Sequence, residues 1–208
     1  MSYHLHRAEG IVLGSFPCGE ADKMVILFTK EFGLVRVFAK GVRLEKSKLR
    51  GHLCTGTHVA VGFVMGKEMK RLTHASVAAS FGHIQNDMFR FRGVQAVFRL
   101  VEEGMVEDEP DTHIWDIVHQ VLTILGAEGM SQGDVSLVLS AFRLKLFSIG
   151  GYLPEERPPV ADMLFRSSTL LPPVHISESS RIELREFLDA IQAYAGRRVG
   201  TGNSFLIR

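Results

Sequence analysis

Residues 38–51 read Phe-Ala-Lys-Gly-Val-Arg-Leu-Glu-Lys-Ser-Lys-Leu-Arg-Gly, which sets Lys40, Arg43, Lys46, Lys48 and Arg50 against the single acid Glu45. Cations at this density on a glycine-containing loop can follow a phosphate backbone without fixed geometry. Ser47 can add a hydroxyl contact to a phosphate oxygen, a contact that positions a protein on nucleic acid without reading sequence. The same spacing also suits a solvated hairpin, and the residues alone leave both readings open. Phe16, Phe28, Phe32, Phe38 and Phe63 fall in the same part of the chain. Aromatic side chains there either stack bases or fill a core.

Other chemistries are poorly served. His52, Cys54 and His58 lie close together and His4 alternates with His6, but neither arm of a paired zinc motif is complete, so no metal is expected. Glu102, Glu103, Glu107, Asp108, Glu109 and Asp111 run off the end of a helical pattern into a Pro-containing turn. That is the pattern of a solvated helix end, or of a docking surface for a basic partner, rather than of a two-metal site. No phosphate-binding Gly-x4-Gly-Lys-Ser/Thr loop, Gly-x-Ser-x-Gly elbow or His-Glu-x2-His pair is present, so neither an enzyme nor a cofactor is expected.

The elements that would hold the basic loop are strands. Glu9 to Phe16, Lys23 to Thr29, Leu34 to Ala39, His58 to Met65 and Arg71 to Val77 are short β-rich runs separated by glycine turns, the last two joined at Gly66-Lys67. Five such strands fit a small antiparallel barrel, of either OB or SH3-like type. After Phe81 the period changes. Val94, Val97, Phe98, Val101 and Met105 share one helical face. Ile114 to Leu125 makes a second, with Asp111 as N-cap, and Val135 to Ile149 a third, stopped by Gly150-Gly151. Leu184 to Ala195 makes a fourth, with Ser180 and Glu183 at capping-box spacing. Residues 154–174 hold five of the seven prolines and read as an irregular connection. The expected fold class is α+β: a five-stranded barrel over residues 1–80, then an α-helical domain over 81–208.

The charge is unevenly divided. Residues 1–80 carry 12 Lys or Arg against 6 Asp or Glu, and the remainder carries 12 against 17, within a net charge of +1. A basic first part is suited to a polyanion. No apolar run reaches the roughly 18 residues of a membrane span, and Met1 to Gly10 lacks a signal-peptide pattern. A cytoplasmic protein with two free thiols, Cys18 and Cys54, is expected.

Several ordered blocks resemble the bacterial RecO family. They are Gly10-Ile11-Val12-Leu13, Gly19-Glu20-Ala21-Asp22-Lys23, Leu27-Phe28-Thr29, Ala39-Lys40-Gly41, Ser47-Lys48-Leu49-Arg50-Gly51 and Leu72-Thr73. Further on, Phe142-Arg143-Leu144-Lys145-Leu146 and Gly151-Tyr152-Leu153-Pro154 are similar to later family blocks, and Gly196-Arg197-Arg198 with Ser204-Phe205-Leu206 is a fainter match. The resemblance implies an N-terminal OB fold and a helical C-terminal domain. It also implies binding of single- and double-stranded DNA, annealing of complementary strands, and work with RecR and the single-strand-binding protein to load RecA in recombination and repair, in a cytoplasmic, nucleoid-associated setting. It makes Lys40, Arg43, Lys46, Lys48 and Arg50 the first choice for phosphate contacts, and Lys23 the second. Where many family members carry a four-cysteine zinc motif, this chain has Glu155-Glu156-Arg157-Pro158-Pro159, so no zinc finger is inherited.

Two mechanisms follow as expectations. In one, the loop screens a strand's phosphates so that a complementary strand can approach. In the other, the barrel is a protein-docking adaptor that meets DNA only within a RecR complex, and Phe142, Arg143 and Lys145 receive the acidic, apolar-ended tail of the single-strand-binding protein.

Overall fold

The computed structural model describes residues 4–66, 68–81, 84, 86–171 and 176–199. They fall into two compact units, one of residues 1–81 with 107–115, the other of residues 82–106 with 116–208.

The first unit is a closed five-stranded barrel in the order β1-β2-β3-β5-β4, with β1 Leu5–Cys18, β2 Asp22–Thr29, β3 Gly33–Ala39, β4 Thr57–Met65 and β5 Lys70–Ser80. This is the OB architecture, so of the two barrel types the residues allowed, the one the resemblance implied is present. Strand β1 closes the ring by serving two neighbours. Its first half pairs with β4, from Leu5↔Val64 to Ile11↔His58, and its second half with β2, down to Cys18↔Asp22. The last seam, β3 to β5, is parallel and consists of Val37↔Lys70 and Phe38↔Arg71. Alternation drives the packing. Val12, Val25, Leu27, Val35, Val37, Val59, Val61 and Phe63 point inward as one buried cluster. The strands read from sequence are all present, and β1 begins at Leu5, four residues before the expected Glu9. Lys67, half of the expected Gly66-Lys67 turn, lies outside the described residues.

Residues 107–115 return to the outside of this barrel. Asp108 donates its N–H to the Leu34 carbonyl at 3.0 Å, and Glu107 and Asp108 pair with Arg36 and Lys70. Trp115 packs on Phe28, with 5.6 Å between ring centroids.

The second unit is helical: α1 Met88–Gly104, α2 Thr112–Leu125 (which starts in the first unit), α3 Gln132–Ile149, α4 Pro159–Arg166 and α5 Glu178–Val199. Asp111 caps α2 as expected, accepting from His113 N–H at 2.8 Å and Ile114 N–H at 3.0 Å. Gly150 and then Gly151, at φ +71°, stop α3. Two expectations are corrected. The proline-rich stretch 154–174 is not irregular throughout, because Pro159 opens α4, which buries Val160, Ala161 and Leu164. Ser180 is not the cap of α5. Ser177 Oγ accepts from the Ser180 N–H at 3.2 Å, and the helix starts earlier, at Glu178. Among the described residues no helix is long and apolar enough to cross a membrane.

Candidate nucleic-acid interface

The basic segment is an ordered cover over one end of the barrel. Its first turn is fixed to the β1–β2 turn. Gly41 N–H donates to Asp22 Oδ1 at 2.6 Å, Arg43 N–H to the Ala21 carbonyl at 2.9 Å, and Arg43 Nη1 to the Gly19 carbonyl at 3.2 Å. Successive i→i+3 bonds follow, from Leu44 to Gly41, Ser47 to Leu44, Arg50 to Ser47 and His52 to Leu49. Val42 and Leu53 plug the barrel core, and Leu49 packs against it. This apolar anchoring replaces the expected flexible tether, because three aliphatic side chains at loop spacing gain more from burial than the loop gains from freedom.

With Val42, Leu49 and Leu53 turned inward, the cations turn outward, and Leu44 is exposed with them. Lys40, Arg43, Lys46, Lys48 and Arg50 are all exposed, and Lys23 is half-buried. Among the described residues none of these six meets a carboxylate within ion-pair distance, so their charge is uncompensated. Lys23, Arg43 and Arg50 converge with Val42 and Leu53 on a cleft of about 330 Å³. Three cations around such a cleft, Arg43 held by its bond to Gly19, suit phosphate oxygens. Lys40, Lys46 and Lys48 do not line it. Ser47 is half-buried, its Oγ accepting from the Leu49 N–H at 3.4 Å.

The five barrel phenylalanines separate. Phe28 and Phe63 are fully buried, and Phe32 lies edge-on to Phe63 at 5.3 Å. Phe16 is 47% exposed and Phe38 half-buried, both on the outer face of the barrel. The acidic run is dispersed: Glu107 and Asp108 answer Arg36 and Lys70, and Asp111 caps α2. Among the described residues no three His, Cys, Asp or Glu side chains gather as a metal would require. His58 is buried beside Trp115, with Nε2 3.0 Å from Glu9 Oε1. Cys18 and Cys54 are free thiols.

In the helical unit a separate cavity of about 210 Å³ has Phe142 and Arg143 in its wall, with Leu100, Leu137, Leu139 and Leu184 as apolar lining and Arg181 and Arg185 alongside. Arg143 Nη2 donates to Asp189 Oδ1 and Gln192 Oε1, both at 2.9 Å, while its buried Nε has no acceptor. Lys145 does not line this cavity, and its amine donates to the Ser167 carbonyl at 3.2 Å. Arg181 and Arg185 were missed from sequence, although their i,i+4 spacing puts both on one face of a helix.

Fold and site together define an OB-fold protein whose barrel carries a cationic cover and whose chain continues into a helical unit. Residues 1–81 match the family described as Recombination protein O N terminal. Similar proteins named DNA repair protein RecO come from Halalkalibacterium halodurans (29% identical over 150 residues, 72% of this chain and 58% of that protein) and Heliobacterium modesticaldum (34% over 151 residues, 73% and 53%). A third is from Thermobifida fusca (34% over 152 residues, 72% and 61%). Residues 1–81 belong to the RecO N-terminal family, and the chain spans about half to three fifths of the length of these relatives.

Proposed function

We propose that this chain is a DNA repair and recombination mediator, cytoplasmic and nucleoid-associated. On this reading it binds single- and double-stranded DNA, anneals complementary strands, and with RecR helps load RecA onto DNA coated by the single-strand-binding protein. The observation that carries the reading is the ordered cover of the barrel, where Lys40, Arg43, Lys46, Lys48 and Arg50 are exposed and meet no carboxylate among the described residues. Phosphates entering the Lys23–Arg43–Arg50 cleft would release their counterions, and the outlying Lys40, Lys46 and Lys48 would extend the track. Two complementary strands repel one another through their phosphates. A surface that neutralises one of them lowers that repulsion and raises local strand concentration. No bond is made or broken in this scheme, so it needs no nucleophile, no metal and no nucleotide.

The test is a salt series with a fluorescent single-stranded oligonucleotide. Each lost phosphate contact lowers the log–log slope by about 0.7, so replacing the five loop cations by Ala should flatten it by roughly three units. A variant slope equal to that of the parent would take the loop out of DNA binding.

A second reading is favoured by the cavity of the helical unit, where an apolar floor meets Arg143, Arg181 and Arg185. It is suited to an acidic peptide with an apolar end, such as the tail of the single-strand-binding protein. The barrel would then act as a docking adaptor that meets DNA only alongside RecR. Under this reading the tail peptide binds the isolated chain, and Arg143→Glu with Arg185→Glu abolishes that binding. Lys145, two residues along α3, is turned away from the cavity to the Ser167 carbonyl, so Lys145→Glu should leave the binding unchanged unless the peptide runs around the helix.

A further inference from the structure

The outer face of the barrel carries a row that neither reading under the proposed function uses. Phe16 on β1 is the register partner of Met24 on β2, Met24 of Phe38 on β3, and Phe38 of Arg71 on β5. A bulge puts Phe16 there. Val12 faces the barrel core opposite Leu27, and strict alternation would turn residue 16 inward as well. The register slips between Val12 and Gly14, so Phe16 faces outward beside Met24. Phe16 is 47% exposed, Met24 and Phe38 are half-buried, and Arg71 is exposed. Two strand spacings separate the rings of Phe16 and Phe38, about 10 Å, with the Met24 thioether between them. Lower on the same face of β2 and β3, Phe28 and Leu34 are fully buried, and residues 107–115 of the same unit pack there. The aromatic row lies beyond that cover. Cations border it: Lys40 follows Phe38 by two residues, Arg71 ends the row, and Lys23, next to Met24, lines the cleft shared with Arg43 and Arg50.

We propose that Phe16, Met24 and Phe38 form a base-stacking platform that gives this barrel its preference for single-stranded over duplex DNA. This rests on the DNA-binding reading above and deepens it. Every base offers a π-face to an exposed aromatic ring, so stacking tolerates any sequence. In a duplex those faces are already stacked on one another, and only the phosphate contacts remain. The platform therefore holds separate strands and loses its hold once they pair, which releases the annealed product. The uncompensated cations on its borders favour a polyanion over an apolar protein surface as the occupant.

The test compares the full chain with a Phe16→Ala/Phe38→Leu variant, both shown to be folded by circular dichroism. Each is titrated with an oligo-dT strand, an abasic strand of equal length and a hairpin duplex. The variant is expected to lose about five- to hundredfold in affinity for oligo-dT. Its salt slope, its duplex affinity and its abasic-strand affinity should stay at the parent's values. Equal losses on all three ligands, or no loss on oligo-dT while the parent binds it, would overturn the platform and leave the DNA reading standing. A parent that binds no DNA overturns both readings. Phe16→Ala alone, at the more exposed ring, gives the same comparison if the double variant fails to fold.

Discussion

Gly33 sits at φ +65°, and a Cβ added there would lie 2.1 Å from the carbonyl oxygen of Glu109. Both the left-handed backbone and the backbone packed against it demand glycine. Gly33→Ala should therefore destabilise the barrel by about 3 kcal/mol or more, read as a lowered urea midpoint. Gly14→Ala is the control. A Cβ at Gly14 meets nothing within 4 Å, and its φ is not positive, so its cost should stay below about 1 kcal/mol. The sequence showed Gly33 as a break between strands but held no sign of the distant residue pressed against it. Arg90 gives a second instance. Among the cations of α1 its type suggested nothing special, yet its guanidinium is buried and donates to the carbonyls of Leu125 and Ala127 at the end of α2. Arg90→Met should cost about 2–3 kcal/mol, because two carbonyls at a helix C-terminus lose a charged donor. A thermal midpoint unchanged by that substitution would show that water replaces it freely.

At the scale of elements, legibility follows how much of an element's cause is local. The strands and the long helices carry their own periodicity, and all of them were readable. Helix α4 was not: eight residues hold a single apolar repeat, and its support comes from Asp162 bridging Arg157 and Arg166, a pattern lost among prolines. The bulge in β1 was equally hidden, since nothing in Ile11-Val12-Leu13-Gly14 says where alternation slips. The cations of the loop were read correctly as exposed, but Val42, Leu49 and Leu53, which fix the loop to the core, passed unnoticed between them. A capping box at the start of α3 also went unread. Ser131 Oγ accepts from the Asp134 N–H at 3.2 Å, and Asp134 Oδ2 accepts from the Ser131 N–H at 2.9 Å. The Ser131 hydroxyl and N–H hold the Asp134 carboxyl below its ordinary value of 3.8. A folded-state value below the unfolded one means that the contribution is complete above about pH 4 and is lost as the pH falls through the lowered value. Ser131→Ala should thus cost about 1 kcal/mol at neutral pH, and the gap from the parent should shrink on acidification. A gap that stays constant from pH 7 to pH 2 would separate the cap from the ionisation of Asp134.

At the scale of the whole chain, the split of charge was plain in the sequence, and the cations of the barrel lie where a polyanion could reach them. The path of the chain was not plain. A single change of period near residue 81 reads as one boundary, whereas the barrel unit takes in residues 107–115 as well. That return has an energetic reason. Phe28 and Leu34 face outward from β2 and β3, yet they are fully buried, and Trp115 and residues 107–109 pack on that face. Uncovering two such side chains costs roughly 1.5–3 kcal/mol each as an upper estimate. A fragment ending at residue 81 should accordingly melt about 12 °C or more below the barrel of the full chain, since each kcal/mol shifts a domain of this size by about 4–8 °C. Adding residues 105–116 to that fragment through a flexible linker should restore most of the difference. Circular dichroism reads both fragments, and in the linked one Trp115, the only tryptophan in the chain, adds a second probe, its emission moving to longer wavelength as the barrel opens. Equal melting of the short fragment and the linked one would show that residues 107–115 lie on the barrel without stabilising it, and that the first 81 residues suffice for a folded domain.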